Sequence, residues 1–393
     1  MHIPDGYLSP ATCAVGLVVA VPMAAVACRK IGRTVKSRQV PTLAMLSAVC
    51  FLIMMFNVPI PDGTTAHAVG GALVAVLLGP WAALVAVAVA LAFQALLFGD
   101  GGVLAYGVNV VNMAIVLPFV AIGIYRLIAR GAALTAGRRV IAAAVGGYVG
   151  LNAAALCCGI ELGIQPDLFH TADGAPLYSP YHLSQSIPAM ALAHLSVAGV
   201  VEAVITGGVV AYLQRANLPL LRLNHPGVLE DGVAAATAQP GKIRPIVWAV
   251  GAVVLMVALT PLGLLAPGGA FGEDSPGDLN LKELGLTAVP TGLARYTGFW
   301  KHTLLDGYGF SSGDHPTLGY LLSALVGILV VGAAVFLIAA LVRAVSGRRS
   351  AASAAGATPP AVTSAVGFST VDTGSAAASS PAGPAGSSPV DPR

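Results

Sequence analysis

Met1 and His2 open the chain with three nitrogen atoms in consecutive positions. The α-amine of Met1, the backbone amide of His2 and the near ring nitrogen of His2 close one five-membered and one six-membered chelate ring around a metal ion. Planar nitrogen donation of this kind suits Ni(II) or Cu(II), with Co(II) as a neighbour. His67 is the candidate for a fourth nitrogen. The residue types therefore predict a metal site made by Met1, His2 and His67, with a free amine on Met1.

The simpler interpretation is that these histidines bind nothing. A chain can begin Met-His by chance, and a single histidine in a loop is more often solvated than a ligand. Topology distinguishes the two interpretations, because a shared site requires His2 and His67 to lie on the same side of the structure that the chain forms.

The composition indicates an integral membrane protein. Of the 393 residues, 56% are hydrophobic and only 9% are charged, whereas a soluble domain carries about 25% charged residues. The apolar runs are continuous and do not alternate, which favours an all-α fold over a β-barrel. The five cysteines show no zinc-type spacing and lie in or beside these runs: Cys13, Cys28, Cys50, Cys157 and Cys158.

Eight apolar segments are long enough to be helices, and basic clusters set their direction. The segments lie at roughly 11–28, 41–57, 69–98, 103–128, 139–163, 186–213, 244–266 and 317–342. The loops rich in Lys and Arg all become cytoplasmic only if 69–98 crosses twice. Pro80 follows Gly79 in the middle of that segment and would end a helix there. The prediction is a seven-helix bundle followed by a two-helix unit with a large outer loop.

This layout places the N-terminus outside and the C-terminus in the cytoplasm, and it gives four regions. Residues 1–215 form the metal-binding membrane domain, 216–243 a cytoplasmic linker and 244–345 the two-helix unit. The Ala/Ser/Pro-rich tail, 346–393, is expected to be disordered because it has too few apolar residues to bury a core. Residues 1–10 and 58–68 both fall outside, so His2 and His67 can meet.

Buried polar residues are costly in a membrane and are often paired or functional. Gln94, Asn109 and Asn112 are candidates to hold the metal ligands in place, although simple hydrogen bonds between helices explain each of them equally well. For His194 and Glu202 the bundle-holding role is the preferred interpretation. The outer loop 164–185 contains further residues of metal-binding type at irregular spacing, which are expected to be satisfied within the loop: Asp167, His170, Asp173 and His182.

Four stretches of the sequence resemble the CbiM/NikM family, the substrate-binding components of energy-coupling factor transporters for cobalt and nickel. They are Met1-His2-Ile3-Pro4-Asp5-Gly6-Tyr7-Leu8, the loop from Val58 through Pro61-Asp62-Gly63-Thr64-Thr65-Ala66-His67 to Gly71, Leu78-Gly79-Pro80-Trp81, and Phe93-Gln94 to Gly101-Gly102. The resemblance covers about 1–215, and it implies the Met1 amine, the His2 amide and imidazole, and His67 as ligands. Residues 244–345 resemble the small NikN, or PDGLE, component fused to the first.

The resemblance implies capture of Co(II) or Ni(II) at the outer face, with no cofactor and no nucleic-acid partner. Its implied partners are a transmembrane coupling protein and cytoplasmic ABC-type ATPases, within the lipid bilayer of the cell membrane. The chain has no Walker A, HExxH or CxxC motif, and no enzyme activity is expected. Two rivals remain: an intramembrane metal-dependent enzyme using His194 and Glu202, and a small-molecule permease without metal.

Overall fold

The computed structural model describes residues 1–60, 64–225, 245–265 and 269–355. Met1–Arg349 form one compact unit, and Ser350–Arg393 form a second, of which the described part is the end of a helix. The tip of the His67 loop, most of the predicted linker and nearly all of the predicted tail lie outside the described residues.

The described structure is almost entirely helical. The α-helices of the described chain are α1 (Pro10–Thr34), α2 (Val40–Met54), α3 (Gly71–Leu78), α4 (Pro80–Phe93), α5 (Tyr106–Asn109), α6 (Leu117–Ile128), α7 (Gly137–Gly163), α8 (Gln165–Leu168), α9 (Leu183–Ala193), α10 (Gly199–Ala216), α11 (Leu218–Arg222), α12 (Pro245–Leu259), α13 (Thr291–Tyr296) and α14 (Pro316–Ala355). A short hairpin pairs β1 (Val58–Pro59) with β2 (Thr65–Ala66). Three-residue to six-residue 3₁₀ turns lie at Ser37–Gln39, Thr260–Leu265 and Asp306–Tyr308.

Six helical stretches of the described chain are long and apolar enough to cross a membrane: Pro10–Thr34, Pro80–Phe98, Tyr106–Ile128, Gly137–Leu168, Leu183–Ala216 and Pro316–Val345. The first and last of these present large apolar side chains outward, including Val18 at 73% exposure and Leu329 at 70%. Such surfaces suit lipid and not water. The predicted multi-pass, all-α membrane fold is confirmed.

The predicted break in segment 69–98 is confirmed. Helix α3 ends at Leu78, Gly79 adopts φ +91°, and α4 begins at Pro80. Glycine accepts this positive φ without a steric penalty, and proline fits the first helical position because its missing N–H has no partner there in any helix. Helix α3 is only eight residues long, and every residue from Gly71 to Leu77 is buried among neighbouring helices. It is therefore shielded from lipid, as its length requires.

Helices α6 and α7 approach each other closely through glycines of α7. A Cβ added at Gly146 would lie 2.6 Å from the Ala121 carbonyl oxygen, and one at Gly150 would lie 2.6 Å from that of Leu117. Side chains at either position would push the helices apart. Small residues thus set this helix spacing, as is usual for helices packed within a membrane.

Three turns of π-helix interrupt the long helices, at Gln94–Phe98, Val110–Val116 and His194–Ala198. Each contains one of the buried polar residues noted in the sequence: Gln94, Asn112 and His194. Such turns re-aim side chains and often occur at functional sites. The polar residues inside the bundle therefore coincide with its irregular backbone.

The long segment between α12 and α14 covers the end of the bundle that carries Met1, which we call the Met1 end. The backbone N–H groups of Leu304 and Leu305 donate to the Leu97 carbonyl at 2.8 and 3.0 Å. The N–H of Gly292 donates to the Leu177 carbonyl at 2.7 Å. We call residues 269–315 the cover segment.

Candidate metal site

His67 follows strand β2 and has a defined tautomer. Its Nδ1 lies 3.0 Å from the Ala68 carbonyl oxygen. Because a carbonyl only accepts, Nδ1 carries the proton and Nε2 carries the free lone pair. The ring is 4% exposed. His67 therefore presents one unprotonated nitrogen into the interior of the Met1 end.

His2 presents its near ring nitrogen to the same point. Its Nδ1 lies 3.1 Å from His67 Nε2 and 3.2 Å from Asp100 Oδ1. Its Nε2 lies 3.3 Å from Gln94 Oε1. The Gln94 amide nitrogen is oriented by Asp100 Oδ2 and the Tyr308 hydroxyl, so its oxygen faces His2 Nε2. His2 Nδ1 thus faces both the Asp100 carboxylate and the His67 Nε2 lone pair.

His2 Nδ1 and His67 Nε2 thus face one another across 3.1 Å, with the Asp100 carboxylate beside them. Burial lowers the pKa of His2, despite the nearby Asp100 charge. Burial, followed by the charges of the Met1 amine and His2, lowers the pKa of His67 well below its ordinary value. The burial of both rings disfavours the charged imidazolium, and the meeting of two ring nitrogens beside a carboxylate suits a cation.

The Met1 amine lies beside these rings and contacts the cover segment. Its nitrogen is 3.4 Å from Glu273 Oε1, and the Met1 side chain is fully buried. An interaction with the His2 backbone N–H lowers the pKa of the same carboxylate. Burial raises the pKa of Glu273 to about 7, and the Met1 ammonium opposes that rise. Glu273 thus holds the two backbone nitrogens that the predicted chelate uses.

Asn109 and Asp5 fix the path of the N-terminal residues. The Ile3 N–H donates to Asn109 Oδ1 at 2.9 Å, and Asn109 Nδ2 donates to the Ile3 carbonyl at 3.0 Å. The Asp5 carboxylate accepts from three consecutive N–H groups, those of Val103, Leu104 and Ala105, at 2.8 to 3.2 Å. These contacts hold residues 1–5 in a fold that turns His2 toward His67.

The residues predicted to support the ligands differ in their surroundings. Gln94 contacts His2, and Asn109 contacts the residue that follows His2. Asn112 instead donates to Glu161 Oε2 at 2.5 Å, and its Oδ1 has no hydrogen-bond partner in the described chain. The structure thus brings Gln94 and Asn109 to the candidate ligands, while Asn112 is paired with Glu161.

Glu273, Asp100 and Tyr308 were not singled out by the sequence, although each contacts the site. Glu273 and Tyr308 belong to the cover segment, more than 200 positions from their partners Met1 and Gln94. The Tyr308 hydroxyl also donates to Asp100 Oδ2 at 2.5 Å. The only sequence signal was that the cover segment combines acidic and aromatic residues in an otherwise apolar chain.

His194 and Glu202, the residues of the alternative metal-dependent enzyme, bond to backbone groups. Both Glu202 oxygens accept backbone N–H groups, and His194 Nδ1 donates to the Met190 carbonyl at 2.7 Å. In the described ranges no set of three or more His, Cys, Asp and Glu side chains could hold a metal ion.

In the loop around 164–185, polar side chains bond locally, as predicted from the sequence. His182 Nδ1 lies 3.4 Å from Asp167 Oδ1, with both side chains about three-fifths exposed. His170 Nδ1 donates to the carbonyl of Thr171. These contacts are local and solvent-accessible, unlike the buried set of His2 and His67.

The chain is similar to known cobalt and nickel transport proteins. Residues 2–220 match the family model CbiM, described as the cobalt uptake substrate-specific transmembrane region. The chain is 46% identical to the fused nickel transport protein NikMN of Rhodobacter capsulatus, over 87% of this chain and 98% of that protein. It is 44% identical to the probable fused nickel transport protein LarMN of Lactiplantibacillus plantarum, over 84% of this chain and 95% of that protein.

A solved structure titled a truncated transition metal transporter matches with a TM-score of 0.51 and 59% identity, over 54% of this chain and 98% of that one. The fused relatives extend across the cover segment and α14, whereas the family model ends at 220. The chain therefore belongs to the CbiM/NikM family of cobalt and nickel transport proteins, with a NikN-type two-helix unit fused behind the CbiM region.

Proposed function

We propose that this protein is the substrate-capture component of an energy-coupling factor importer, and that it binds Ni(II) or Co(II) through Met1, His2 and His67. The observation that carries the proposal is the buried meeting of His2 Nδ1 and His67 Nε2 at 3.1 Å, with the Asp100 carboxylate 3.2 Å from His2 Nδ1. Two ring nitrogens and a carboxylate that converge in a buried place favour a cation between them.

The chain supplies a planar set of four nitrogens. In the chelate of Met1 and His2 the amide nitrogen is central, with the amine and the ring nitrogen on either side. The fourth corner is then adjacent to His2 Nδ1, and His67 Nε2, 3.1 Å from that nitrogen, is the group that would occupy it. Binding requires the His2 amide to lose its proton, since a metal-bound amide is deprotonated.

Nickel is the substrate that we favour. The two relatives that match across both parts of the chain are named nickel transport proteins. Four strong in-plane nitrogens also suit the d⁸ configuration of Ni(II) better than the preferences of Co(II). Competition between the two ions for the purified protein, followed by metal analysis, would measure the preference directly.

We further propose that the Met1 end faces outward and the C-terminus faces the cytoplasm. Loops rich in Lys and Arg support this orientation. A transmembrane coupling protein and ABC-type ATPases would supply the energy for release, because this chain has no nucleotide-binding motif. The direct test is metal analysis of protein purified with a C-terminal tag and an unmodified Met1, with one nickel per chain expected.

Replacing His67 by alanine is expected to weaken nickel binding and to stop uptake while the protein still folds. The change removes one of four nitrogens, and water can fill the corner. Equilibrium dialysis with radioactive nickel measures the affinity, and uptake by whole cells measures transport. His182→Ala is the matched control, because His182 is exposed and paired only with Asp167. Unchanged uptake by His67→Ala would place the fourth ligand elsewhere.

Nickel affinity is expected to fall continuously as pH is lowered from about 8 to about 6, because the His2 amide must lose its proton to bind the ion. Burial lowers the pKa of both His2 and His67, which reduces the competition of protons for their ring nitrogens. Dissociation constants measured across the range test this. An affinity that stays constant down to pH of about 6 would show that no deprotonated amide binds the ion.

A further inference from the structure

Glu202 is a fully buried carboxylate in helix α10, and it bonds to the chain segment that follows His67. Its Oε2 accepts from the N–H groups of Val69 and Gly70 at 2.9 and 2.8 Å. Its Oε1 accepts from the Ala72 N–H at 3.3 Å. The side chain is 0% exposed. All the hydrogen bonds that the structure gives this carboxylate thus go to one short stretch of backbone.

The bonded groups are those that the start of a helix leaves unsatisfied. Helix α3 begins at Gly71, and Gly70 precedes it with φ +77° and no side chain to cap it. The first N–H groups of a helix need acceptors, and their partial positive charge favours an anion. Glu202 provides this cap from a distant helix. A bundle held together only by neutral hydrogen bonds would not require a buried charge at this position.

This cap is connected to His67 through a single residue. The Ala68 carbonyl that accepts from His67 Nδ1 belongs to the peptide group whose nitrogen is the Val69 N–H. Glu202 therefore holds one side of this peptide plane, and His67 bonds to the other. When this peptide plane is held in place, the Ala68 carbonyl keeps the proton of His67 on Nδ1. The other ring nitrogen, Nε2, is then directed toward His2.

We propose that Glu202 is a positioning residue for the metal site, which sets the tautomer and direction of His67 through the Ala68–Val69 peptide. The inference rests on the proposed function, because it gives Glu202 an effect on metal affinity only if His67 is a ligand. Asp5 has a comparable role for His2, because its carboxylate accepts three N–H groups and holds the N-terminal segment that contains His2. Two buried or half-buried carboxylates thus anchor the two halves of the site.

The test is a double-mutant cycle between Glu202→Gln and His67→Ala. Glutamine has one acceptor oxygen and would face the Ala72 N–H with its own amide donors. Glu202→Gln is expected to lower nickel affinity by about 10-fold to 100-fold, the usual effect of removing a residue that orients a ligand. In the His67→Ala background, Glu202→Gln should lower nickel affinity little further, because the residue that Glu202 positions is absent.

Thr206→Val is the matched control. Thr206 lies one turn along the same helix, is 0% exposed and has a hydroxyl without a hydrogen-bond partner in the described residues. It should bind nickel like the unchanged protein. The ¹⁵N resonances of His67 provide a second readout, with a single Nδ1-protonated tautomer expected in the metal-free protein and a mixture in Glu202→Gln. If that variant does not fold, Glu202→Asp takes its place in both measurements.

The outcomes separate the two proposals. Losses of affinity that simply add in the double mutant, or an unchanged His67 tautomer, would overturn the positioning role while leaving the metal site intact. Nickel affinity that does not respond to His67→Ala would instead overturn the proposed site itself. Coupled losses together with a changed tautomer support the inference.

Discussion

Adding two residues before Met1 is expected to lower nickel affinity by more than about 100-fold, which exceeds the usual effect of losing an orienting residue. The extension turns the amine into an amide and moves the new amine away from His2, so the five-membered chelate ring is lost. Only His2 and His67 would remain as side-chain ligands. Metal content of the purified proteins, measured by plasma emission spectroscopy, gives the result directly.

The structure also shows how little room an extension would have. The Met1 side chain is fully buried, and its nitrogen lies 3.4 Å from Glu273 under the cover segment. A loss of binding could therefore arise from displacement of that segment. A removable leader that regenerates Met1 on cleavage is the appropriate control, because binding should return with the free amine. An extension after Arg393 should have no effect, and equal metal content with and without the leader would contradict the site.

The helical layout was predictable because lipid imposes a simple rule on sequence. Apolar runs of spanning length, basic clusters between them and the Gly79-Pro80 break were sufficient to place the helices. The same layout brought His2 and His67 to one end, where the structure finds them 3.1 Å apart. Helix α11 and Asn224 extend the bundle into the predicted linker, since Asn224 Nδ2 donates to the Ala75 carbonyl of α3.

The surroundings of the site were less predictable, for a physical reason. Glu273 meets Met1 across 272 positions, and it comes from a cover segment with no periodic pattern to place it. Glu202 was expected only to hold the bundle, and its three backbone partners lie about 130 positions away. Backbone N–H groups carry no sequence signal, so an acidic side chain that caps a distant helix looks the same as any other buried acid.

Nickel-loaded protein is expected to be diamagnetic and yellow. The Met1 amine, the His2 amide and ring nitrogens and His67 Nε2 supply four strong in-plane donors, one of them anionic once the amide has lost its proton. Such a field places Ni(II) in the square-planar, low-spin state, whereas six weaker ligands leave it octahedral and paramagnetic. His67 Nδ1 is already bonded to the Ala68 carbonyl and His2 Nε2 faces Gln94, so Nε2 of His67 and Nδ1 of His2 are the ring nitrogens left for this plane.

Magnetic susceptibility of the loaded protein, or sharp and unshifted proton resonances, measures the spin state. The nearby carboxylates make this a demanding test, because Asp100 lies 3.2 Å from His2 Nδ1 and Glu273 lies 3.4 Å from the amine. If these oxygens bound the ion in place of the amide, the field would weaken and the protein would be pale green and paramagnetic. Asp100→Asn is expected to keep the yellow, diamagnetic form, since it leaves all four nitrogens. A paramagnetic wild type that becomes diamagnetic in Asp100→Asn would assign the ion to the carboxylate and refute the four-nitrogen site.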